Sequence, residues 1–382
     1  MKPAFELAQV IDRFGSQFAD RYQPNGYILR TLGAIRSCRT ASLGGHKDRC
    51  DTCGHIRISY NSCRNRHCPK CQNTQREAWI EDRKQDLLSV PYFHMVFTVP
   101  DTLNPLFFAD SAGMYNLLFR SVWETMNQFF LTQLYAEGGM IAVLHTWGQN
   151  LSLHPHIHCI VPGGGIGFKG IWKHISVSEN GKAYLFPVKA LSKVFRGKLT
   201  SRLRQAYPEQ KERISASWNH DWVVYTKEPF TGPDSVVEYL GRYTHKVAIS
   251  NHRLLDIKDQ EVTFRWRDYR DNLQKTMTLD AVEFLRRFCQ HILPSAFVRI
   301  RHFGILSSTR KKDFRQLQVS MGLKPSPVNK KQVRKSWKEI CRIHLQFDPD
   351  QCPHCKSGTM VLIERIIPER SPPSHLFSRK KK

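Results

Sequence analysis

His154-Pro155-His156-Ile157-His158-Cys159-Ile160-Val161-Pro162 is the stretch on which the fold turns. Residues two apart on a strand share a face. His156 and His158 therefore offer two imidazoles to one side, while Ile157 and Cys159 point into a core. Pro155 has no N–H to give a ladder, so the strand is expected to begin there. The Gly163-Gly164-Gly165 turn that follows leaves room for a ligand. A histidine pair alone is equally well explained by two hydrogen-bonded structural side chains. Its neighbours along the chain decide between the readings.

Two imidazoles leave a metal short of protein ligands. Gln149, near the end of the preceding expected strand, can supply a carbonyl oxygen; His154 shares the strand face and competes with it. We favour Gln149, because His154 sits at the strand mouth before Pro155, where it can touch a bound partner instead. Such an N,N,O set with open positions suits Mg²⁺ or Mn²⁺ in phosphate chemistry, and Zn²⁺ is also compatible.

Around this strand the pattern is mixed. Residues 4–35 read as two helices broken at Pro24-Asn25-Gly26, and 74–88, 103–137, 189–206 and 280–292 also read as helical. Residues 92–99, 141–147, 218–226, 247–250, 262–266 and 276–279 are rich in β-branched and aromatic residues and read as strands. A helix is expected to start at Pro233 and run to Tyr243. Without a regular βαβ rhythm, the expected class is α+β with an antiparallel sheet. We divide the chain into N-terminal helices with a zinc-binding module (1–90), a catalytic domain (91–308) and a basic C-terminal region (309–382).

Glu238-Tyr239-Leu240-Gly241-Arg242-Tyr243-Thr244-His245-Lys246 places two tyrosines at i and i+4 on one helical face. Most such pairs are packing. Beside a metal site they acquire a second use: attack on a DNA phosphate, giving a phosphotyrosine that retains the bond for rejoining. Two tyrosines permit two successive strand transfers. Arg242, His245 and Lys246 are placed to hold phosphates.

Upstream lie Cys50-x-x-Cys53 and Cys68-x-x-Cys71, with 14 residues between them. Two knuckles at this spacing can set four thiolates around Zn²⁺, in a closed and therefore structural site. Cys38, His46, Cys63 and His67 can complete a second site or replace a ligand of the first. Arg64 and Arg66 stud the same loops and suit DNA backbone contact. Near the other end, Cys352-Pro-His-Cys355 is half a zinc site, which Cys341 and His344 can complete.

The chain of 382 residues has 41% hydrophobic residues, enough for a sizeable core, and carries 58 Lys and Arg against 33 Asp and Glu. The resulting net charge of +25 favours a polyanionic partner, with nucleic acid foremost. No apolar run approaches the ~20 residues that span a bilayer, and the first fifteen residues lack the apolar core of a secretory signal. A cytoplasmic, nucleoid-associated protein is expected, its eleven cysteines serving as metal ligands or buried thiols.

The stretch Ser62-Cys63-Arg64-Asn65-Arg66-His67-Cys68-Pro69-Lys70-Cys71-Gln72, then the histidine strand, then Tyr239 to His245, resembles the rolling-circle insertion-sequence transposases. These are two-tyrosine members of the HUH nuclease superfamily, named for His-hydrophobic-His. The resemblance spans about residues 20–310. It implies an N-terminal zinc-binding region and an HUH-type central antiparallel sheet flanked by helices. It also implies metal-assisted cleavage and rejoining of single-stranded transposon ends through a 5′-phosphotyrosine, with a free 3′-OH left for replication. By position, His156 and His158 become the metal pair and Tyr239 and Tyr243 the nucleophiles, with Gln149 as upstream polar ligand. The sequence contains no P-loop motif, so an unwinding helicase is expected from the host. The competing readings are a plasmid replication initiator or relaxase with the same chemistry, a non-catalytic zinc-dependent DNA-binding regulator, and a metal-dependent hydrolase that activates water.

Overall fold

The computed structural model describes residues 3–84, 87–175, 185–220, 222–227, 230, 235–236, 239, 241, 246–268, 270–325 and 336–369. At its centre the histidine strand, Leu153–Pro162, is flanked by Gly139–Trp147 on one side and Tyr92–Thr98 on the other. Val224–Thr226 extends the sheet beyond Tyr92–Thr98, and Ile300–Gly304 closes its other edge. All four pairings are antiparallel. The fold is α+β, as expected.

The two faces of this sheet differ because side chains alternate along each strand. Phe93, Met95 and Phe97, Ala142 and Leu144, and Ile157, Cys159 and Val161 join one hydrophobic core. That core is covered by two long helices, Ser111–Phe129 and Val188–Ala206. Leu191, Phe195, Leu199 and Leu203 recur every fourth residue and are all fully buried, the stripe a core-facing helix needs. The opposite face carries His94, His145, His156 and His158. A smaller cluster, including Ile80, Tyr92, Ile160, Val236 and Ile305, packs beside them.

Pro155 lies inside the strand rather than at its start; the strand begins at Leu153. The ladder to Gly139–Trp147 shifts register between His145 and Trp147, so the residue without an N–H sits at an irregularity. Residues 247–250, expected as a strand, form no strand. The edge strand Ile300–Gly304 was not foreseen, since all five of its residues are half-buried and show no alternation.

The first two helices are Leu7–Tyr22 and Gly26–Arg36. Asn25 separates them: its side chain accepts from the N–H groups of Tyr27 and Ile28 and caps the second. Leu7, Val10, Ile11, Phe14 and Phe18 pack against a three-stranded antiparallel sheet, Leu254–Lys258, Glu261–Arg267 and Gln274–Asp280, and the helix Ala281–Cys289 that follows it. A third sheet joins the two ends of the chain. Gly45–Cys50 pairs with Ile56–Tyr60 and also with Met360–Ile366. Within the basic C-terminal region, Lys330-Lys331 and the run Arg379-Lys380-Lys381-Lys382 lie outside the described residues.

Candidate metal and tyrosine site

His156 and His158 share the sheet face, as their spacing requires. The third imidazole beside them is His145, the cross-strand partner of His156. One ring nitrogen from each of the three lies within 4.8 Å of the others. Ring centroids are 4.4 Å apart for His145 and His158, and 4.9 Å for His156 and His158. Trp147 stacks on His145 at 4.7 Å and fixes its plane.

Protonation favours ligation. Burial lowers His156 to about 4, with the neighbouring His154 adding to the effect. Burial, helped by His145, holds His158 well below the ordinary imidazole range. Both rings are therefore neutral at pH 7, as metal ligands must be. His156 Nδ1 lies 2.6 Å from the His154 carbonyl oxygen, which can only accept. The ring proton is thus on Nδ1 and the lone pair on Nε2. Three imidazoles converging on one point, with those of His156 and His158 held neutral, fit a divalent cation.

Gln149 lies just past the strand, in the turn that joins the two histidine-bearing strands. Its backbone oxygen accepts from Arg253, and it lines a cavity of about 300 Å³ together with Trp147, Gly241, Lys246 and Arg253. His154 is exposed at the strand mouth.

Like His145, His94 carries no mark in the sequence pattern. It stands on Tyr92–Thr98, buried, with Nε2 2.8 Å from Nδ1 of His158. Its other nitrogen, Nδ1, is 3.3 Å from the phenol oxygen of Tyr239. Burial, aided by Lys227, lowers His94 to about 4. Tyr239 also packs on Phe230 at 4.8 Å, and the Lys227 ammonium lies 5.0 Å over its ring. Close approach by Gly241 helps seat this segment: a Cβ there would come 2.2 Å from Cδ1 of Ile80. Ile80 belongs to the helix Gln72–Lys84 that leaves the cysteine module. Tyr243, Arg242 and His245 lie outside the described residues; Lys246 is described and exposed.

The cysteines assemble differently from their spacing. Cys38, Cys63, Cys68 and Cys71 form one group, with sulfur–sulfur distances of 3.5 Å for Cys38–Cys71 and 3.7 Å for Cys63–Cys71. Tetrahedral Zn–S bonds of ~2.3 Å require sulfurs ~3.8 Å apart, so this group fits zinc. Cys50 and Cys53, expected to pair with Cys68 and Cys71, instead face Cys352 and Cys355. Local spacing favoured the two nearer knuckles, and only the long-range sheet pairing separates them. His46 is not in either group and lies 3.5 Å from Asp48. Nor is His67, which is buried. Cys341 and His344 also stay apart from the knuckle, with His344 3.0 Å from Glu81. Arg64 is exposed, whereas Arg66 is committed to the protein: it donates to the carbonyls of Phe297 and Pro294 at 2.5 and 2.8 Å.

Residues 10–99 match a family described as "Transposase zinc-binding domain", and residues 139–313 match one described as "Putative transposase". The chain is 41% identical to the "Putative transposase y4qJ" of Sinorhizobium fredii (strain NBRC 101917 / NGR234), over 96% of this chain and 97% of that one. It is 29% identical to the "Transposase for insertion sequence element IS801" of Pseudomonas savastanoi pv. phaseolicola, over 73% of this chain and 70% of that one. No solved structure matches.

Proposed function

The chain belongs to the insertion-sequence transposases that carry an N-terminal zinc-binding domain, and from that premise we propose that it cuts and rejoins single-stranded transposon DNA through a covalent 5′-phosphotyrosine. The observation that carries this reading is the chain of contacts Tyr239–His94–His158, which joins a tyrosine to the histidine cluster. In this reading the sheet is of the HUH type, residues 91–308 form the catalytic domain, and the process is rolling-circle transposition.

His145, His156 and His158 hold the divalent cation, which supplies positive charge against the scissile phosphate. Three imidazoles favour Mn²⁺ over the oxygen-seeking Mg²⁺. With the lone pair of His158 on Nε2, its proton is on Nδ1 and is donated to Nε2 of His94. The single proton of neutral His94 then resides on Nδ1 and is donated to the Tyr239 oxygen. A hydrogen bond received by the phenol oxygen stabilises its anionic form, and a phenol with an ordinary pKa of ~10 needs that help near neutrality. The Tyr239 phenol gives its proton to water, its oxygen forms a bond to phosphorus, the P–O3′ bond breaks, and the 3′ oxygen takes a proton from water to leave as the free hydroxyl. Tyr243 serves the second transfer. Lys246, Arg242 and His245 hold flanking phosphates, and a host helicase opens the duplex.

The net charge of +25 suits a DNA partner. The test is incubation with labelled single-stranded DNA carrying candidate ends and Mn²⁺ or Mg²⁺, followed by denaturation. The reading expects a protein–DNA adduct. Cleavage without an adduct points to water as nucleophile, and the absence of both across ends and metals points to a non-catalytic regulator.

A further inference from the structure

Cys50, Cys53, Cys352 and Cys355 come from opposite ends of the chain and lie within 4.8 Å of one another. Cys50 and Cys355 sulfurs are 3.7 Å apart, as are those of Cys53 and Cys352. Disulfide sulfurs sit at ~2.05 Å, so these are not bonded pairs. The separation matches the ~3.8 Å edge of a tetrahedral zinc–thiolate site. We propose that these four cysteines form a second structural zinc site, which fastens the C-terminal region to the N-terminal module.

The backbone around the sulfurs supports the assignment independently of their distances. The two halves are the same turn built twice. Gly54 N–H donates to the Cys50 carbonyl at 3.1 Å, and Lys356 N–H donates to the Cys352 carbonyl at 3.1 Å. The residue after each second cysteine is left-handed, with φ 71° at Gly54 and 61° at Lys356. Left-handed backbone disfavours a lysine, so the conformation at 356 is held by its surroundings. Each knuckle also turns an amide toward a sulfur: Cys53 N–H to Cys50 at 3.4 Å, and Gly358 N–H to Cys355 at 3.3 Å. Such donors stabilise thiolates.

The halves are also fitted to each other. Gly358 approaches so closely that a Cβ there would lie 2.4 Å from the Cys50 sulfur. Asp51 accepts from the Thr359 amide at 2.8 Å. His55, two residues after Cys53, and His354, just before Cys355, stack at 5.4 Å with ring planes 10° apart. Cys50 and Cys352 are buried. The adjoining ladder then runs from Cys50–Met360 to Gly45–Ile366. Four thiolates leave no open position, so the site is structural. Its loop closes across about three hundred residues, which makes it an anchor for the basic C-terminal region.

Metal analysis of the purified full-length chain tests the inference without any DNA. Wild type is expected to hold two zinc ions per chain. Cys352→Ser/Cys355→Ser and Cys50→Ser/Cys53→Ser are each expected to hold one, and the fourfold variant still one, because both pairs serve a single ion. Hydrogen exchange gives a second readout: both pair variants should lose amide protection at Met360–Ile366 and retain it at Leu153–Pro162. Should the variants fail to fold, cobalt substitution of wild type should show thiolate charge-transfer absorption equal to two four-cysteine sites. One zinc in wild type, two zinc ions retained after Cys352→Ser/Cys355→Ser, iron in place of zinc, or cobalt absorption equal to one site would overturn it.

Discussion

The phenol oxygen of Tyr239 lies 3.3 Å from Nδ1 of His94, whose other nitrogen meets His158 at 2.8 Å. A buried histidine thus stands between the tyrosine and the histidine cluster, and its replacement should separate two effects. His94→Ala is expected to slow adduct formation by about 10–100-fold, the usual cost of losing an outer partner of a metal ligand, while leaving the zinc content unchanged. Single-turnover adduct formation across pH 6–9 is the measurement. Without the donated hydrogen bond the rate should climb at higher pH than in wild type; an unshifted profile would remove His94 from the tyrosine's environment.

His145 completes the cluster in register with His156. His145→Ala should weaken Mn²⁺ binding, measured by calorimetry, by at least about as much as the ~10–100-fold that loss of an outer partner costs. Gln149→Ala should have a smaller effect. The reverse order would return the third ligand to Gln149.

Gly241 is a packing position. Gly241→Val would drive its side chain into Ile80, and overpacking of this kind costs about 1–3 kcal/mol. Denaturant unfolding should show that loss, and adduct formation should fall with it. Ile80→Ala should restore part of both in the double variant, since it removes the atoms that clash. Equal effects of Gly241→Val with and without Ile80→Ala would contradict the docking of the two segments.

The turn between the histidine strands is clamped by His291. The Leu151 carbonyl can only accept, so the His291 Nε2–H donates to it at 3.2 Å, and Thr146 donates to Nδ1, also at 3.2 Å. Burial lowers His291 from 6.5 to about 4. Between those values the unfolded chain binds the proton and the folded chain does not, so stability falls as pH drops from 6.5 toward 4, and His291 contributes no pH dependence above that window. A shift of this size corresponds to roughly 3 kcal/mol. His291→Gln removes the titration while offering both a donor and an acceptor. Its thermal midpoint should therefore fall less over that pH range than that of wild type.

Much of the site could be read along the chain because the relevant contacts are local in period. His156 and His158 share a strand face, and the two N-terminal helices break within Pro24-Asn25-Gly26, where the turn residues marked it. His145 and His94 were not found, although both strands were. Each is a lone histidine among apolar residues, and only strand register shows that 145 stands opposite 156 or that 94 reaches 158. The cysteines fail for the same reason. Cys-x-x-Cys spacing says that two ligands come together, but not which other pair they meet. The partners of Cys50 and Cys53 are supplied by a turn 299 to 305 residues away, and sequence proximity drew the pairing toward Cys68 and Cys71. Gln149 was legible as a polar group near the site, and the structure places it in the turn between the two histidine strands, where its backbone oxygen accepts from Arg253.

The central claim is that a tyrosine, rather than water, attacks the DNA. Mass spectrometry of the protease-digested product, after reaction with single-stranded transposon ends and Mn²⁺, tests it most directly. A tyrosine nucleophile yields a nucleotide-modified peptide carrying Tyr239 or Tyr243. The adduct is then lost in the Tyr239→Phe, Tyr243→Phe double variant and in His156→Ala. Cut DNA bearing a free 5′-phosphate, formed by wild type and the double variant alike with no modified peptide, would contradict it.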